Sequence, residues 1–344
     1  MRLFAAAILL YGTLLAASTG PEAQLAREVG GKGWIIFSAK TANGDWDLFL
    51  MRPDGSGRRN VTQTPGFHEV GGRFSPDGRR ILYRRIPPNI QVHHDWWGRA
   101  GDLVIANADG SNPVVWGEFP WASWSPDGKQ VACLTKTGIE FRDLATKQVV
   151  RTLDRQGIFQ QLYWSPDGRS LVATANAYGA AWTIVRMDAA TGAVNAVAKD
   201  QNCTPDWLPD SKHVIYSSRP RNQGDAGSDA AKAVGQASGY GWTQLWMADM
   251  EGNQHALVYG EDGRHVYGGA VSPDGRYALF TRSLKDGNED TAVLGLMRMS
   301  DAPTIGGESP ALRKLHPNSK DGPVLSLGPG WEPHWTYAAV GGRK

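Results

Sequence analysis

The chain repeats one short segment, in which a large residue is followed by a Pro-Asp turn. The copies are Phe74–Gly78, Trp124–Gly128, Trp164–Gly168, Trp207–Ser211 and Val271–Gly275, with a sixth, degraded copy at Trp331–Trp335. The five full copies recur at spacings of 40 to 64 residues. Recurrence at this length is typical of stacked supersecondary units, none of which buries its apolar face alone. The repeat therefore constrains the fold more than any single motif does.

Each repeat has the pattern of four strands. After the turn comes a short apolar segment, such as Ile81–Tyr83 or Val131–Cys133. Pro, Asp and Gly in the turn supply the dihedral angles and local hydrogen bonds that close a hairpin. A third strand follows at places such as Asp102–Ala106, and a fourth at Asn60–Gln63 or Val149–Thr152. Four antiparallel strands in every repeat predict the blades of a β-propeller.

The number of turn copies predicts an all-β fold, a six-bladed β-propeller of four-stranded antiparallel blades. The last innermost strand, expected around Leu327–Trp331, has no blade of its own. The N-terminal strands Trp34–Ser38, Asp47–Met51 and Asn60–Gln63 lack an innermost strand. Joining these two incomplete pieces closes the ring and removes free sheet edges. Residues 33–340 are therefore predicted to form a single propeller domain.

The N-terminus has the features of an export signal over residues 1–20. Arg2 supplies a positive charge, Leu3–Ala17 is almost wholly apolar, and small residues follow at Ala16–Gly20. The apolar run is too short for a comfortable membrane span, and no second one occurs in the mature chain. We expect a periplasmic or secreted protein in which residues 21–32 form a short linker.

The bulk composition restricts the classes of partner. The net charge is only +2, so neither nucleic acid nor an anionic membrane is expected as a partner. The partners that remain are a protein, a peptide or a glycan of the cell envelope.

The two cysteines, Cys133 and Cys203, fall two repeats apart, and we expect two buried thiols rather than a disulfide.

Three segments carry a family resemblance. Leu48–Gly55, Asn60–Thr62 and Phe74–Tyr83 resemble the TolB-type, WD-like β-propeller repeat, and the resemblance extends from Trp34 to Trp335. It implies a fold that hosts scaffolds, gating domains of peptidases and some lyases, so it indicates no single activity. TolB itself has an additional N-terminal α/β domain, for which the residues before Trp34 leave no room. The resemblance is therefore expected to be confined to the propeller.

The strand order divides the loops between two rims of the ring. Turns after the first and third strands of each blade are short and uniform, and we call their side the Pro-Asp rim. Connections after the second and fourth strands are irregular and carry the insertions Pro87–Ala100 and Arg219–Gly241, and we call their side the loop-rich rim. Irregular loops on a regular scaffold usually carry binding residues. The loop-rich rim is therefore predicted to be the functional face.

The candidate site residues all belong to that rim. They are His93, His94, Asp95, Trp96, Trp97 and Arg99 of the first insertion, and His68, Gln160, Arg264 and His265 of equivalent connections. Adjacent tryptophans beside an arginine suit stacking on sugar rings or binding of a peptide carboxylate. If the loops converge, His68, His93, His94 and His265 are candidate ligands of a divalent metal. The same side chains also fit a structural role, in which they hydrogen-bond and pack a long loop.

Two functions follow from these patterns. The favoured one is an exported, non-catalytic binding or scaffold protein that needs no cofactor and engages a peptide, a partner protein or an envelope glycan. The alternative is a metal-dependent carbohydrate-active enzyme, lyase- or hydrolase-like, with a His cluster at the channel mouth. Oligogalacturonate lyases, which are larger propeller enzymes, use a broadly similar His-plus-Gln metal site. No Gly-x-Ser-x-Gly or His-Glu-x-x-His motif occurs, so neither a serine hydrolase nor a zinc protease is indicated.

The repeated tryptophans and aspartates have a simpler explanation. Trp124, Trp164 and Trp207 each precede a turn and are predicted to pack between neighbouring blades. The aspartates of the turns are predicted to be turn formers rather than paired catalytic carboxylates.

Overall fold

The computed structural model describes residues 20–90, 92, 101–199, 201–219, 242–261, 264–284, 289–301 and 323–340. Within these ranges, 24 strands form six four-stranded sheets arranged as a ring. Neighbouring strands in each sheet are antiparallel, as the pairings in the second blade illustrate. The prediction of a six-bladed β-propeller is confirmed.

The blades are numbered from the N-terminus, each with its innermost strand first. Blade 1 contains β24 (Trp331–Thr336), β1 (Trp34–Lys40), β2 (Trp46–Met51) and β3 (Arg59–Asn60). Blade 2 contains β4 (His68–Phe74), β5 (Arg80–Ile86), β6 (Asp102–Asn107) and β7 (Val114–Gly117), and blade 3 contains β8 (Trp121–Trp124), β9 (Gln130–Leu134), β10 (Gly138–Asp143) and β11 (Val149–Asp154). Blade 4 contains β12 (Ile158–Trp164), β13 (Ser170–Ala177), β14 (Ala180–Asp188) and β15 (Val194–Ala198). Blade 5 contains β16 (Asn202–Trp207), β17 (His213–Ser218), β18 (Gln244–Asp249) and β19 (His255–Tyr259), and blade 6 contains β20 (His265–Val271), β21 (Tyr277–Ser283), β22 (Val293–Arg298) and β23 (Leu325–Pro329).

Both ends of the chain build blade 1, as the ring-closure argument predicted. Strand β24 pairs with β1, so that His334 lies opposite Ile36. The predicted position of this innermost strand, Leu327–Trp331, was wrong, because Leu325–Pro329 is instead the outermost strand of blade 6. The degraded sixth copy has His334 in place of the Asp that follows Pro in all five full copies, and the chain continues through it as a strand.

A helix, α1 (Pro21–Val29), lies within the segment expected to be a linker. Its Leu25 and Val29 are fully buried in a cluster with core residues of blades 1 and 6. Glu28 accepts hydrogen bonds from the Tyr277 hydroxyl and from two guanidinium nitrogens of Arg298, which lower the pKa of its carboxyl. The helix therefore covers the junction between blades 6 and 1. No helix in the described ranges has the length and apolar character needed to cross a bilayer.

The Pro-Asp turns repeat one hydrogen-bond pattern. The Ser75 hydroxyl donates to Asp77 Oδ1 at 2.6 Å, and the same oxygen accepts the Arg79 N–H at 3.0 Å. Equivalent serine-to-aspartate bonds occur at Ser125–Asp127, Ser165–Asp167 and Ser272–Asp274. The bond from Ser75 is the main cause of the lowered pKa of Asp77, which is therefore ionised and engaged in its turn. The turn-forming role of these aspartates is confirmed.

The tryptophans before the turns connect neighbouring blades. Trp124 Nε1 donates to the Arg73 carbonyl of blade 2 at 3.2 Å, and Trp207 Nε1 donates to the Tyr163 carbonyl of blade 4 at 3.0 Å. Trp164 meets Phe141 of blade 3 edge to face, with ring centroids 5.0 Å apart. The predicted inter-blade packing is confirmed.

The two cysteines do not form a disulfide, as expected. Cys133 is fully buried in β9, but Cys203 in β16 is only half-buried, so the expectation of two buried thiols holds for Cys133 alone.

Candidate functional site

The innermost strands line the central channel, and five of the six carry a β-bulge. The bulges shift the strand register in β4, β12, β16, β20 and β24, whereas β8 pairs without a shift. One residue in each bulge has a left-handed backbone: Gly71, Gln161, Thr204, Gly268 and Glu332. Left-handed dihedrals are unfavourable for Gln, Thr and Glu, so the surrounding structure must stabilise them.

At three of these bulges, those of Gly71, Thr204 and Gly268, the neighbouring blade supplies the stabilisation. The Gly71 N–H donates to Ser38 Oγ of blade 1 at 3.1 Å, and the Thr204 N–H donates to Gln161 Oε1 of blade 4 at 2.7 Å. The Gly268 N–H lies 3.1 Å from Thr204 Oγ1, which belongs to blade 5. A bulge leaves a backbone donor without its ladder partner, and here a side chain of the preceding blade accepts from it.

An ion pair crosses the channel near the Pro-Asp rim. Arg73 Nη1 in β4 lies 2.6 Å from Asp206 Oδ2 in β16, and these strands belong to blades 2 and 5, on opposite sides of the ring. The Arg73 guanidinium also stacks 4.2 Å from the ring centroid of Tyr163. Burial alone would lower the pKa of Arg73, but Tyr163 and Asp206 raise it above its ordinary value. Arg73 is therefore a permanent cation that connects three blades.

A buried arginine, Arg84, and a buried glutamate, Glu332, lie beside this ion pair. Arg84 is 4% exposed and stacks 4.9 Å from the Trp121 ring centroid. Its two terminal nitrogens and Glu332 Oε2 have no hydrogen-bond partner among the described residues. Burial raises the pKa of Glu332 to about 7, although Arg84 and Arg73 oppose the shift. A polar ligand or water in the channel would satisfy these groups.

A cavity of about 460 Å³ opens at the Pro-Asp rim. Its wall includes the five turn prolines, Pro76, Pro126, Pro166, Pro209 and Pro273. Its polar groups include the Arg73–Asp206 pair and His334, whose Nδ1 accepts the Phe74 N–H at 3.1 Å. Burial, and then the charge of Arg73, hold the pKa of His334 well below its ordinary value. The imidazole is therefore neutral, with its proton on Nε2.

Two of the predicted metal ligands occupy equivalent places at the loop-rich rim. His68 and His265 are the first residues of β4 and β20, the innermost strands on either side of β24. His68 Nδ1 accepts the Trp46 N–H at 3.1 Å, and His265 Nδ1 accepts the Thr243 N–H at 3.2 Å. Burial lowers the pKa of His68. With Nδ1 acting as an acceptor, each neutral ring carries its proton on Nε2.

The remaining predicted residues divide into two groups. Gln160 is buried in β12, and Arg264 pairs with Glu261, with 3.1 Å between Nε and Oε1. The other six, His93, His94, Asp95, Trp96, Trp97 and Arg99, lie outside the described residues, as does most of the second insertion. Among the described residues, no group of three or more His, Cys, Asp or Glu side chains is placed to hold a metal ion.

Sequence reasoning missed a pair of aromatic residues at the loop-rich rim. Phe159 and Trp182 are half-buried and meet nearly at right angles, with ring centroids 5.3 Å apart. Trp182 has a left-handed backbone with φ of 54°, which is rare for a bulky side chain. Trp242 similarly meets His265, with centroids 4.8 Å apart. The sequence could have pointed to Trp182 through its position near the start of a third strand, since the third strand of every blade begins at the loop-rich rim.

No family model matches the chain, and no curated protein matches it. Solved structures do match. TolB from Acinetobacter baumannii is 16% identical with a TM-score of 0.59, over 91% of this chain and 70% of that one. A TolB-type protein from Agrobacterium tumefaciens is 18% identical with a TM-score of 0.52, over 87% of this chain and 90% of that one.

A third match extends the range of proteins that share the architecture. A chain of a nidogen–laminin complex is 12% identical with a TM-score of 0.53, over 85% of this chain and 97% of that one. Identities this low establish architecture and leave activity open. Together with the six four-stranded blades and the ring closed by β24, they show that this chain has the TolB-type six-bladed β-propeller fold.

Proposed function

We propose that this protein is an exported, non-catalytic β-propeller that binds a peptide, a partner protein or an envelope glycan at its loop-rich rim. The observation that carries the proposal is the Phe159–Trp182 pair. A half-buried indole next to a perpendicular ring offers an apolar face to solvent, on which a sugar ring or an apolar side chain stacks. The strained backbone of Trp182 supports a binding role, since residues held in unfavourable dihedrals concentrate at functional sites.

Of the four predicted metal ligands, the two that the structure describes, His68 and His265, favour binding over metal catalysis. A metal-ligating imidazole usually donates its other ring N–H to an acceptor and keeps a free lone pair for the ion. In His68 and His265 the Nδ1 lone pair already accepts a backbone N–H, and Nε2 carries the proton. Metal binding would require both rings to lose these bonds or change tautomer. A similar propeller occurs in the nidogen–laminin complex, which fits a binding role.

Replacement of Trp182 by alanine is expected to weaken ligand binding by at least tenfold, since buried aromatic anchors at interfaces are worth about 2 kcal/mol or more. The measurement is binding of the mature protein to solubilised envelope proteins and to soluble peptidoglycan fragments. Tyr337→Ala is the matched control, because Tyr337 is an exposed aromatic residue at the opposite rim. Equal affinities of the Trp182 variant and the unaltered protein would refute the proposed site.

Export is tested separately from binding. We expect the chain expressed in a Gram-negative host to be recovered from the periplasm or medium, shortened by about 20 residues, the length of a typical signal peptide. Mass spectrometry of the purified protein measures the N-terminus. An intact N-terminus on a cytoplasmic product would contradict export.

A further inference from the structure

The cavity at the Pro-Asp rim has an apolar mouth in which each turn supports the next. A methyl group in place of a hydrogen of Gly128 would lie 4.0 Å from Pro76 Cδ, and one at Gly168 would lie 3.8 Å from Pro126 Cγ. Each of these prolines therefore packs against the turn of the following blade, and the same contact recurs between blades 5 and 6. Since proline has a fixed φ, this mouth needs little ordering when a ligand enters.

Aromatic side chains add to the apolar wall. Trp124, Trp164 and Trp207 line the cavity, and Trp164 is half-buried. The volume of about 460 Å³ falls within the range of about 300–1,000 Å³ that is typical of small-molecule sites. The cavity therefore suits a small molecule with an apolar body.

Two side chains of the cavity have hydrogen-bond donors to offer a ligand. His334 carries its proton on Nε2, because Nδ1 accepts the Phe74 N–H, and no acceptor among the described residues takes that proton. Arg73 lies near enough for its charge to lower the pKa of His334. A guanidinium has several N–H donors, and only Nη1 of Arg73 bonds to Asp206. Both residues can therefore donate to one acceptor group.

The charges around these donors favour an anion. The oxygens of Asp206 are already engaged, Oδ2 by Arg73 at 2.6 Å and Oδ1 by the Trp207 N–H at 2.8 Å. Behind this pair, Arg84 has no ion-pair partner among the described residues, and the pKa of Glu332 is raised to about 7. Two guanidinium charges thus face one full and one partial carboxylate charge at neutral pH. The turns at the mouth are balanced, since each has an aspartate and, two residues later, an arginine or a lysine.

A metal cation has no set of ligands in this cavity. The Nδ1 lone pair of His334 and both oxygens of Asp206 accept hydrogen bonds. No cluster of three or more His, Cys, Asp or Glu side chains suited to a metal ion occurs in the part of the chain that the structure describes. The arrangement therefore selects against cations.

We propose that this cavity binds a small organic carboxylate with an apolar body. The carboxylate accepts from His334 Nε2 and from the guanidinium of Arg73, and the body lies against the turn prolines and the tryptophans. Hydrogen bonds to an ionised acceptor are roughly twice as strong as neutral ones, so the carboxylate fixes the orientation of the ligand. The inference does not depend on the ligand of the loop-rich rim, which is at the opposite end of the ring.

The test is an NMR titration of the mature protein with phenylacetate. We expect a dissociation constant of about 1 mM or tighter, a modest value for a ligand of about ten non-hydrogen atoms. Phenylacetamide, which has the same shape without the charge, and acetate, which lacks the ring, should each bind at least tenfold more weakly. Equal affinities for phenylacetate and phenylacetamide would refute a carboxylate site. No binding of phenylacetate up to about 10 mM would overturn the proposal altogether.

His334→Asn isolates the donor in the cavity. The asparagine Oδ1 replaces Nδ1 as the acceptor for the Phe74 N–H, but no donor remains at the place of Nε2. We expect phenylacetate to bind at least fivefold more weakly, since a hydrogen bond to a charged group is lost. His213→Asn is the matched control, because His213 pairs with Asp210 at the same rim outside the cavity wall, and it should bind as the unaltered protein does. Unchanged affinity in His334→Asn would contradict the assigned donor.

Nuclear Overhauser contacts in the unaltered protein locate the ligand even if His334→Asn folds poorly. We expect contacts between the ring protons of phenylacetate and the δ protons of the turn prolines. Contacts to Phe159 and Trp182 instead would place the ligand at the loop-rich rim and overturn the proposal.

Discussion

Asp206→Asn is expected to lower the free energy of unfolding by about 3 kcal/mol, because it leaves the Arg73 guanidinium buried without its counter-charge. Both side chains are only 16% exposed, so solvent screens the pair weakly and compensates poorly for the lost carboxylate. The asparagine amide also places a neutral group where Arg73 Nη1 has its 2.6 Å contact. Urea unfolding followed by tryptophan fluorescence measures the change.

Asp290→Asn is the matched control for this prediction. Asp290 pairs with Lys40 at the surface, with side chains 57% and 44% exposed, and exposed pairs contribute about 0–1 kcal/mol. If the two asparagine variants lost the same stability, the ion pair across the channel would not be the stabilising contact described above.

Trp331→Ala is expected to cost about 3–5 kcal/mol, the range for truncating a buried aromatic residue. Trp331 is fully buried, begins β24 and meets Trp46 edge to face with centroids 5.6 Å apart. The stability is lost at β24, the strand that closes the ring. Hydrogen exchange should therefore accelerate more at the β1 and β24 amides than at the β13 amides. Leu284→Ala, at a side chain that is 52% exposed, should change stability by less than about 0.5 kcal/mol. Uniform acceleration across all blades would contradict a local role for β24.

The sequence predicted the parts of the fold that local chemistry determines. The Ser-Pro-Asp-Gly turns specify their own hydrogen bonds, so blade number and strand order followed from them. The same reasoning misplaced the last innermost strand, because Trp331–Trp335 resembles a turn copy while lacking the residues that close one. The left-handed backbone at Thr204 was also unpredictable, since an acceptor on the neighbouring blade, Gln161 Oε1, stabilises it against local preference.

The candidate site was less accessible to prediction. Strand order alone assigned His68 and His265 to one rim, and both begin innermost strands there. Which ring nitrogen each histidine uses depends on Trp46 and Thr243, 22 residues away along the chain in both cases. The pairing of Arg73 with Asp206 spans 133 residues and depends on the two strands being half a ring apart. Such contacts become predictable only once the number of blades and the register of each strand are known.

The bulges of the channel strands have a consequence for how the molecule comes apart. In an open solenoid, a terminal repeat detaches and exposes only one interface, so unfolding proceeds from the ends. Here a backbone donor in one blade depends on an acceptor in the blade before it, and the first blade contains both chain ends. Removing blade 1, 4 or 5 takes away one of these acceptors, so partial unfolding leaves a backbone donor of the following blade without its partner. The circular arrangement thus removes the free ends at which the unfolding of an open array would begin.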